Sequence, residues 1–393
     1  MKYAILPLFF ALMLCAQVTP EQFNTSMGLN VFGDGDLWSE NARTLGARLG
    51  CRLVGDGSEG VVHYSAYVNK LPCFGSKVGQ IRVNERDGKL VQIALILGNK
   101  GDSAKGTRES VVKNALVKET KALRKSINDV LGKSQKGNMS LSGKNVHVDW
   151  WPCGDTAVVL DAESGEYIIL RFMSVATFEA GVSRKEARQK VQAADLTKNI
   201  DRKDNGDVYL MNVPMVDQGP KGYCAPASLE RVFLYFGIQG VDMHRIADEA
   251  KTGVGGGTNL DDLEKIAQKW GRRYGVSTHT VPFKFRSVQK VIDEGLPIIW
   301  RMWSTNVYGE RANQNTHARQ TMTTEQWLKT LKKQKKIKDV HEGPHICLII
   351  GYNETTNEIA VSNSWGQSAA AFWWVRMEDA EVVARGKLVY LKP

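Results

Sequence analysis

Residues 183–206, SRKEARQKVQAADLTKNIDRKDNG, contain almost no large apolar side chains. A hydrophobic core cannot run through such a stretch, so the chain must divide into two units that each bury their own apolar surface. Ser183 and Glu186 have capping-box spacing, which predicts a short solvated helix acting as a linker. At 393 residues the chain is long enough for two domains. The expected division is a leader at 1–16, an N-terminal unit at 17–182, a charged linker at 183–206 and a C-terminal unit at 207–393.

The first sixteen residues, MKYAILPLFFALMLCA, are one lysine followed by an apolar run. That run is shorter than the roughly 20 residues a membrane span needs. With small Ala16 at its end it reads as a secretory signal peptide, so a secreted or periplasmic location is expected. Cys15 raises the lipoprotein alternative, but Leu14 occupies the position where a small residue is wanted. No later stretch is apolar and long enough to span a bilayer, so stable membrane insertion is not expected.

The N-terminal unit reads as α+β. Residues 80–97 alternate and then run apolar around Asp87-Gly88, a hairpin signature. Residues 109–131 place Val112, Leu116, Leu123, Ile127 and Val130 on one helical stripe, with Gly132 as a stop. A second hairpin covers 157–172 around Ser164-Gly165. The C-terminal unit reads as helices first and a sheet afterwards, again α+β. Leu229, Val232, Phe233 and Phe236 share a helix face, and Leu260, Leu263, Ile266, Ala267 and Trp270 share another behind a Thr258 or Asn259 cap. LPIIWRMW, HICLIIGY and EIAVSN follow as strands.

The formal charge of +10 includes the run KTLKKQKKIK at 329–338. No aromatic-interleaved nucleic-acid motif accompanies it, so a solvated helix face is the simpler reading and no nucleic-acid partner is expected. CxxC and HExxH spacings do not occur, so no metal or other cofactor is implied. GVGGGT at 253–258 lacks the lysine and preceding strand of a phosphate loop and reads as a flexible connection. Behind the leader lie Cys51, Cys73, Cys153, Cys224 and Cys347. Five is odd, so at least one thiol stays unpaired within the chain, a flag for reactivity in an oxidising compartment.

Cys224 has the most reactive setting. Pro226 is tolerated only in a first helical turn, so the helix starts at or just after Cys224. A thiol there meets free backbone N–H groups and the positive end of the helix dipole, which favour thiolate. A nucleophilic thiol needs a base that can return a proton to the leaving group. Of seven histidines, His345 follows Gly343-Pro344 and opens an apolar strand that would hold its ring, and His341 is the second choice. Asn363 ends the next strand, where it can orient the ring. Gln218 and the Cys224 N–H could donate to a developing oxyanion.

QGPKGYCAPAS, PHICLIIGYN and SNSWG resemble the cysteine, histidine and asparagine segments of papain-like cysteine peptidases. Residues 257–271 and 288–300 look closer to the bacterial double-glycine peptidase-like branch of that superfamily. The resemblance covers roughly 210–393 and implies a papain-like domain, with a helical part and an antiparallel sheet. It implies Cys224 as nucleophile, His345 as general base and acid, Asn363 as orienter and Gln218 as oxyanion-hole amide. It further implies Trp365 as a shield over the asparagine–histidine bond. Ala225 and Lys221 depart from the family pattern, and 304–343 looks inserted.

The expected activity is hydrolysis of a protein or peptide through a thioester. The alternatives are an amidase or transpeptidase on the same scaffold, or an inactive binding or inhibitory module. The N-terminal unit reads as a prodomain, a substrate-docking module or a targeting module.

Overall fold

The computed structural model describes residues 18–58, 61–141, 144–180, 196–220, 222–238, 240–338, 343–366 and 371–393. Residues 1–16 with the expected leader and Cys15, the expected Ser183–Glu186 capping box, Lys221 and His341 lie outside these residues.

The first half is an eight-stranded antiparallel sheet. Its strands are β1 (Val54–Ser58), β2 (Val61–Cys73), β3 (Ser76–Arg86), β4 (Lys89–Asn99), β5 (Gln135–Leu141), β6 (Lys144–Cys153), β7 (Thr156–Glu163) and β8 (Tyr167–Ser174). The order is β1-β2-β3-β4-β8-β7-β6-β5, so two local meanders are joined where β4 pairs with β8. The β3–β4 turn sits on Asp87 and Gly88, with φ of 51° and 75°, the left-handed pair this tight turn demands. Short helices α1 (Pro20–Met27) and α2 (Ala42–Arg48) precede the sheet. The long helix α3 (Glu109–Leu131) connects the two meanders, and α4 (Val175–Ala180) follows the last strand. Val112, Leu116, Leu123 and Ile127 are the buried stripe of α3, as their spacing requires. The indole N–H of Trp151 fixes the far end of α3 by donating to Asn128 Oδ1 and Gly132 O.

The second half has its own core and its own antiparallel sheet. In chain order come β9 (Ile200–Arg202), β10 (Asp207–Leu210), α5 (Cys224–Tyr235), α6 (Met243–Glu249) and α7 (Leu260–Tyr274). They are followed by β11 (Ser277–Val281), α8 (Phe285–Asp293), β12 (Ile298–Ser304), α9 (Asn306–Thr321) and α10 (Thr324–Lys333). The chain closes with β13 (Gly343–Asn353), β14 (Glu358–Ser362), β15 (Phe372–Arg376), α11 (Met377–Val383) and β16 (Leu388–Lys392). Strand β13 is central. One edge pairs with β12 over 343–349 and with β10 over 351–353, and the other pairs with β14, which carries β15. The architecture is α+β in both halves, as the sequence predicts.

Within the inserted-looking stretch, the described residues 304–338 are largely two helices packed beside the sheet. Asn313 on α9 accepts from the Trp373 indole at 2.6 Å, and Thr316 Oγ1 accepts from Trp374 N at 2.9 Å. Lys329, Lys332, Lys333, Lys335, Lys336 and Lys338 are exposed, so the basic run is a solvated face.

The GVGGGT stretch is a close-packed connection, where the composition suggests a flexible one. Gly255, Gly256 and Gly257 have φ of 74°, 90° and 91°. A Cβ on Gly256 would fall 2.2 Å from Gly222 Cα, closer than any side chain can approach.

Candidate active site

Helix α5 begins at Cys224, with Pro226 in its first turn. Tyr223, the residue before it, makes no side-chain cap. The first N–H groups of the helix therefore point at the cysteine end without helical partners. Cys224 is part-exposed, while Ala225 and Ala227 behind it are buried.

The sulfur lies against β13. Ile346, next in the chain to His345, lies near enough for its backbone N–H to favour the charged form of the Cys224 sulfur. One turn further along α5, Ser228 Oγ donates to Ile346 O at 3.4 Å. Burial raises the Cys224 thiol pKa, and the N–H groups of Ile346, Ala225 and Cys224 itself oppose that by favouring thiolate. Burial wins, so the resting group is a thiol.

His345 lies near the start of β13, opposite Met302 of β12, and is buried. Its Nε2 is 3.0 Å from Asn363 Oδ1. An amide oxygen only accepts, so Nε2 carries the proton and Nδ1 is left with the lone pair. Trp365 stacks on the imidazole with centroids 4.9 Å apart and planes 26° from parallel, which screens that bond from water. Burial lowers the His345 pKa to about 4, against the Asn363 bond, which favours the charged ring. The resting imidazole is neutral and able to accept a proton.

Asn363 follows the last residue of β14 and is fully buried. Its backbone is held from the helix that begins at Cys224. Arg231, two turns after Cys224, donates from Nη1 to Ser362 O at 3.1 Å and Asn363 O at 3.2 Å, and from Nη2 to Ser362 Oγ at 2.6 Å. Its Nε donates to Pro214 O at 2.7 Å. One buried guanidinium thus ties α5, the loop before it and the Asn363 segment together. Its sequence context, LERVF, gives no sign of this, because on an apolar helix face an arginine resembles any solvent-facing charge.

Gln218 is buried and joined to the same segment. Its backbone N–H donates to Ser364 O at 2.9 Å, and its Oε1 accepts from Ser364 Oγ at 2.7 Å. Anchoring the amide oxygen this way turns the N–H₂ end away from Ser364. Ser364 is a second site residue missed from sequence; SNSWG drew attention to the asparagine and tryptophan on either side of it.

The other reactive-looking groups lie elsewhere. Cys347 is buried in β13 against Trp300 and Met302, and burial pushes its thiol well up. Cys51, Cys73 and Cys153 are unbonded and confined to the first half. His147, His279 and His317 are exposed, and His244 is bound to Asp242. Among the described residues no cluster of three or more His, Cys, Asp or Glu could hold a metal ion. Among the same residues no helix is long and apolar enough to cross a membrane.

Residues 210–384 match the family model described as Peptidase_C39 like family. No curated protein matches the chain. A solved structure described as Xylellain, a cysteine protease from Xylella fastidiosa, is similar at 12% identity and a TM-score of 0.34. That similarity covers 50% of this chain and 88% of the other. The Cys224, His345 and Asn363 segments all fall inside the matched residues, so the stretch 210–384 is similar to the Peptidase_C39 like family.

Proposed function

We propose that this protein hydrolyses peptide bonds by acyl transfer through Cys224, with His345 as base and acid, Asn363 as orienter and Gln218 as an oxyanion donor. The observation that carries the reading is the bond from His345 Nε2–H to Asn363 Oδ1. It fixes the tautomer whose Nδ1 is basic, on a strand joined to the Cys224 helix by Ser228 Oγ donating to Ile346 O.

In the first half-reaction Nδ1 of His345 takes the thiol proton as sulfur attacks the carbonyl carbon. The carbonyl electron pair moves to oxygen, where Gln218 Nε2–H and the Cys224 N–H donate to it. Collapse of that adduct breaks the C–N bond. The proton on Nδ1 goes to the leaving amine, and a thioester remains on sulfur. In the second half, Nδ1 removes a proton from water as its oxygen attacks the thioester. Collapse then returns the proton to sulfur and releases the acid.

Resting as thiol and neutral imidazole suits a part-exposed cysteine beside a buried ring, because charge separation is deferred until substrate covers the site. Export is part of the proposal and rests on the leader at residues 1–16. The test pairs stoichiometric labelling of Cys224 by a thiol-reactive epoxide with turnover of casein and of muropeptides. Labelling with casein cleavage is the expected result. Cleavage of muropeptides alone would assign an amidase, and no labelling with no turnover would assign an inactive binding module.

A further inference from the structure

We propose that the N-terminal sheet is a fixed part of the catalytic unit, with Tyr67 and Gln80 acting as positioning residues for the Gln218 loop. The inference rests on the peptidase reading above and extends it to a half of the chain outside the family match.

Asp217, immediately before Gln218, presents its carbonyl to two side chains of the N-terminal sheet. Tyr67 Oη on β2 donates to it at 2.9 Å, and Gln80 Nε2 on β3 donates at 3.3 Å. The next residue, Gly219, is pressed under the Tyr67 ring; a Cβ there would fall 2.0 Å from Tyr67 Cζ. With φ of 64°, Gly219 makes the turn, closed by its N–H donating to Asp217 Oδ1 at 2.9 Å. The backbone on both sides of Gln218 is thus held from the N-terminal half.

The nucleophile end of the loop is gripped as well. Buried Tyr223, directly before Cys224, accepts from the Gly101 N–H at 3.2 Å. Its ring lies so close that a Cβ on Gly101 would fall 2.2 Å from Tyr223 Cε1. The glycine turn at 255–257 fills the space between: Gly255 N donates to Lys100 O at 3.3 Å, and Gly257 N donates to Gly222 O at 2.9 Å.

Beneath the loop, charges cross the boundary. Arg82 on β3 pairs with Glu230 of α5 and with Asp242, the cap of α6. Arg171 on β8 pairs with Asp242 at 3.3 Å and with Asp161 at 2.9 Å. Departure of the N-terminal sheet would strip Glu230 and Asp242 of both guanidinium partners, which argues against a dissociating prodomain. An oxyanion donor displaced by a fraction of an ångström loses much of its effect, so a loop held at both ends bears directly on rate.

The test compares Tyr67→Phe, Gln80→Met and the double variant with wild type. It measures kcat and KM on casein and, separately, the rate at which iodoacetamide alkylates Cys224. Alkylation displaces iodide at carbon and forms no oxyanion, so it reads the thiol and imidazole without the Gln218 loop. The double variant should lose about tenfold or more in kcat. KM and the alkylation rate should both stay within twofold. Unchanged kcat in the double variant would overturn the inference. Alkylation falling in step with kcat would overturn it too, by showing a general loosening of the site. Absence of wild-type turnover, or turnover surviving in Cys224→Ala, would remove the peptidase reading and this inference with it.

Discussion

The two halves are both antiparallel sheets with helices, yet they are assembled in opposite ways. In the first, most neighbouring strands are neighbours in sequence, joined by tight turns. In the second, β13 draws together β10, β12 and β14, and β10 lies more than a hundred residues upstream. The local sheet holds the Asp217 carbonyl and the charges under α5, whereas the long-range sheet brings His345 and Asn363 together beside α5. Helix α5 serves both, carrying Cys224 toward β13, Arg231 toward Asn363 and Glu230 toward Arg82.

This division can be tested by breaking each side in turn. On the reacting side, His345→Ala should lower turnover about a thousandfold or more with little change in melting temperature, checked by steady-state kinetics and thermal unfolding. On the scaffolding side, Arg82→Met leaves buried Glu230 without its guanidinium partner and Asp242 with one of its two. It should cost about 3–5 kcal/mol in denaturant unfolding, the usual penalty for breaking a buried ion pair from one side.

A smaller effect is expected at Asn363→Ala, about 10–100-fold in kcat, the range for losing the hydrogen-bond partner that fixes a functional imidazole. The pH profile sharpens this prediction. Burial holds His345 neutral down to about pH 4, so the acid limb of kcat/KM should fall near there and not near 6.5. Asn363 stabilises the charged ring, so its removal should move that limb lower still. Stability has a matching sign. Between about 6.5 and about 4 the unfolded state binds the His345 proton and the folded state does not, so stability falls as pH drops through that window. The smallest effect is expected at Cys347→Ala, about 1 kcal/mol in unfolding with kcat unchanged, because that thiol is core.

Legibility in the sequence follows the same division. Asp87-Gly88, the α3 stripe and the Asn259 cap are local signals, and the elements sit where those signals put them. Pro226 fixed the start of α5 for an equally local reason. Cys224, His345, Asn363 and Gln218, whose roles are proposed above, stood out because each sits in a short segment of unusual composition. Arg231, Ser364, Tyr67 and Gln80 did not. Each acts through a backbone carbonyl or an amide more than a hundred residues away, and no nearby residue betrays the partner. The triple glycine was misread for a related reason: composition reports that its backbone can turn, but not that Gly222 and Lys105 fill the space around it.

Substitution of a single atom bears most directly on the account, since Cys224→Ser exchanges sulfur for oxygen and leaves the surrounding carbonyl and amide partners in place. Casein turnover by the purified variant should drop to background while its melting temperature and its Tyr67, Arg82 and Arg231 contacts persist. Turnover close to that of the unsubstituted chain would contradict it, because the acyl group would then have to be carried by some other atom.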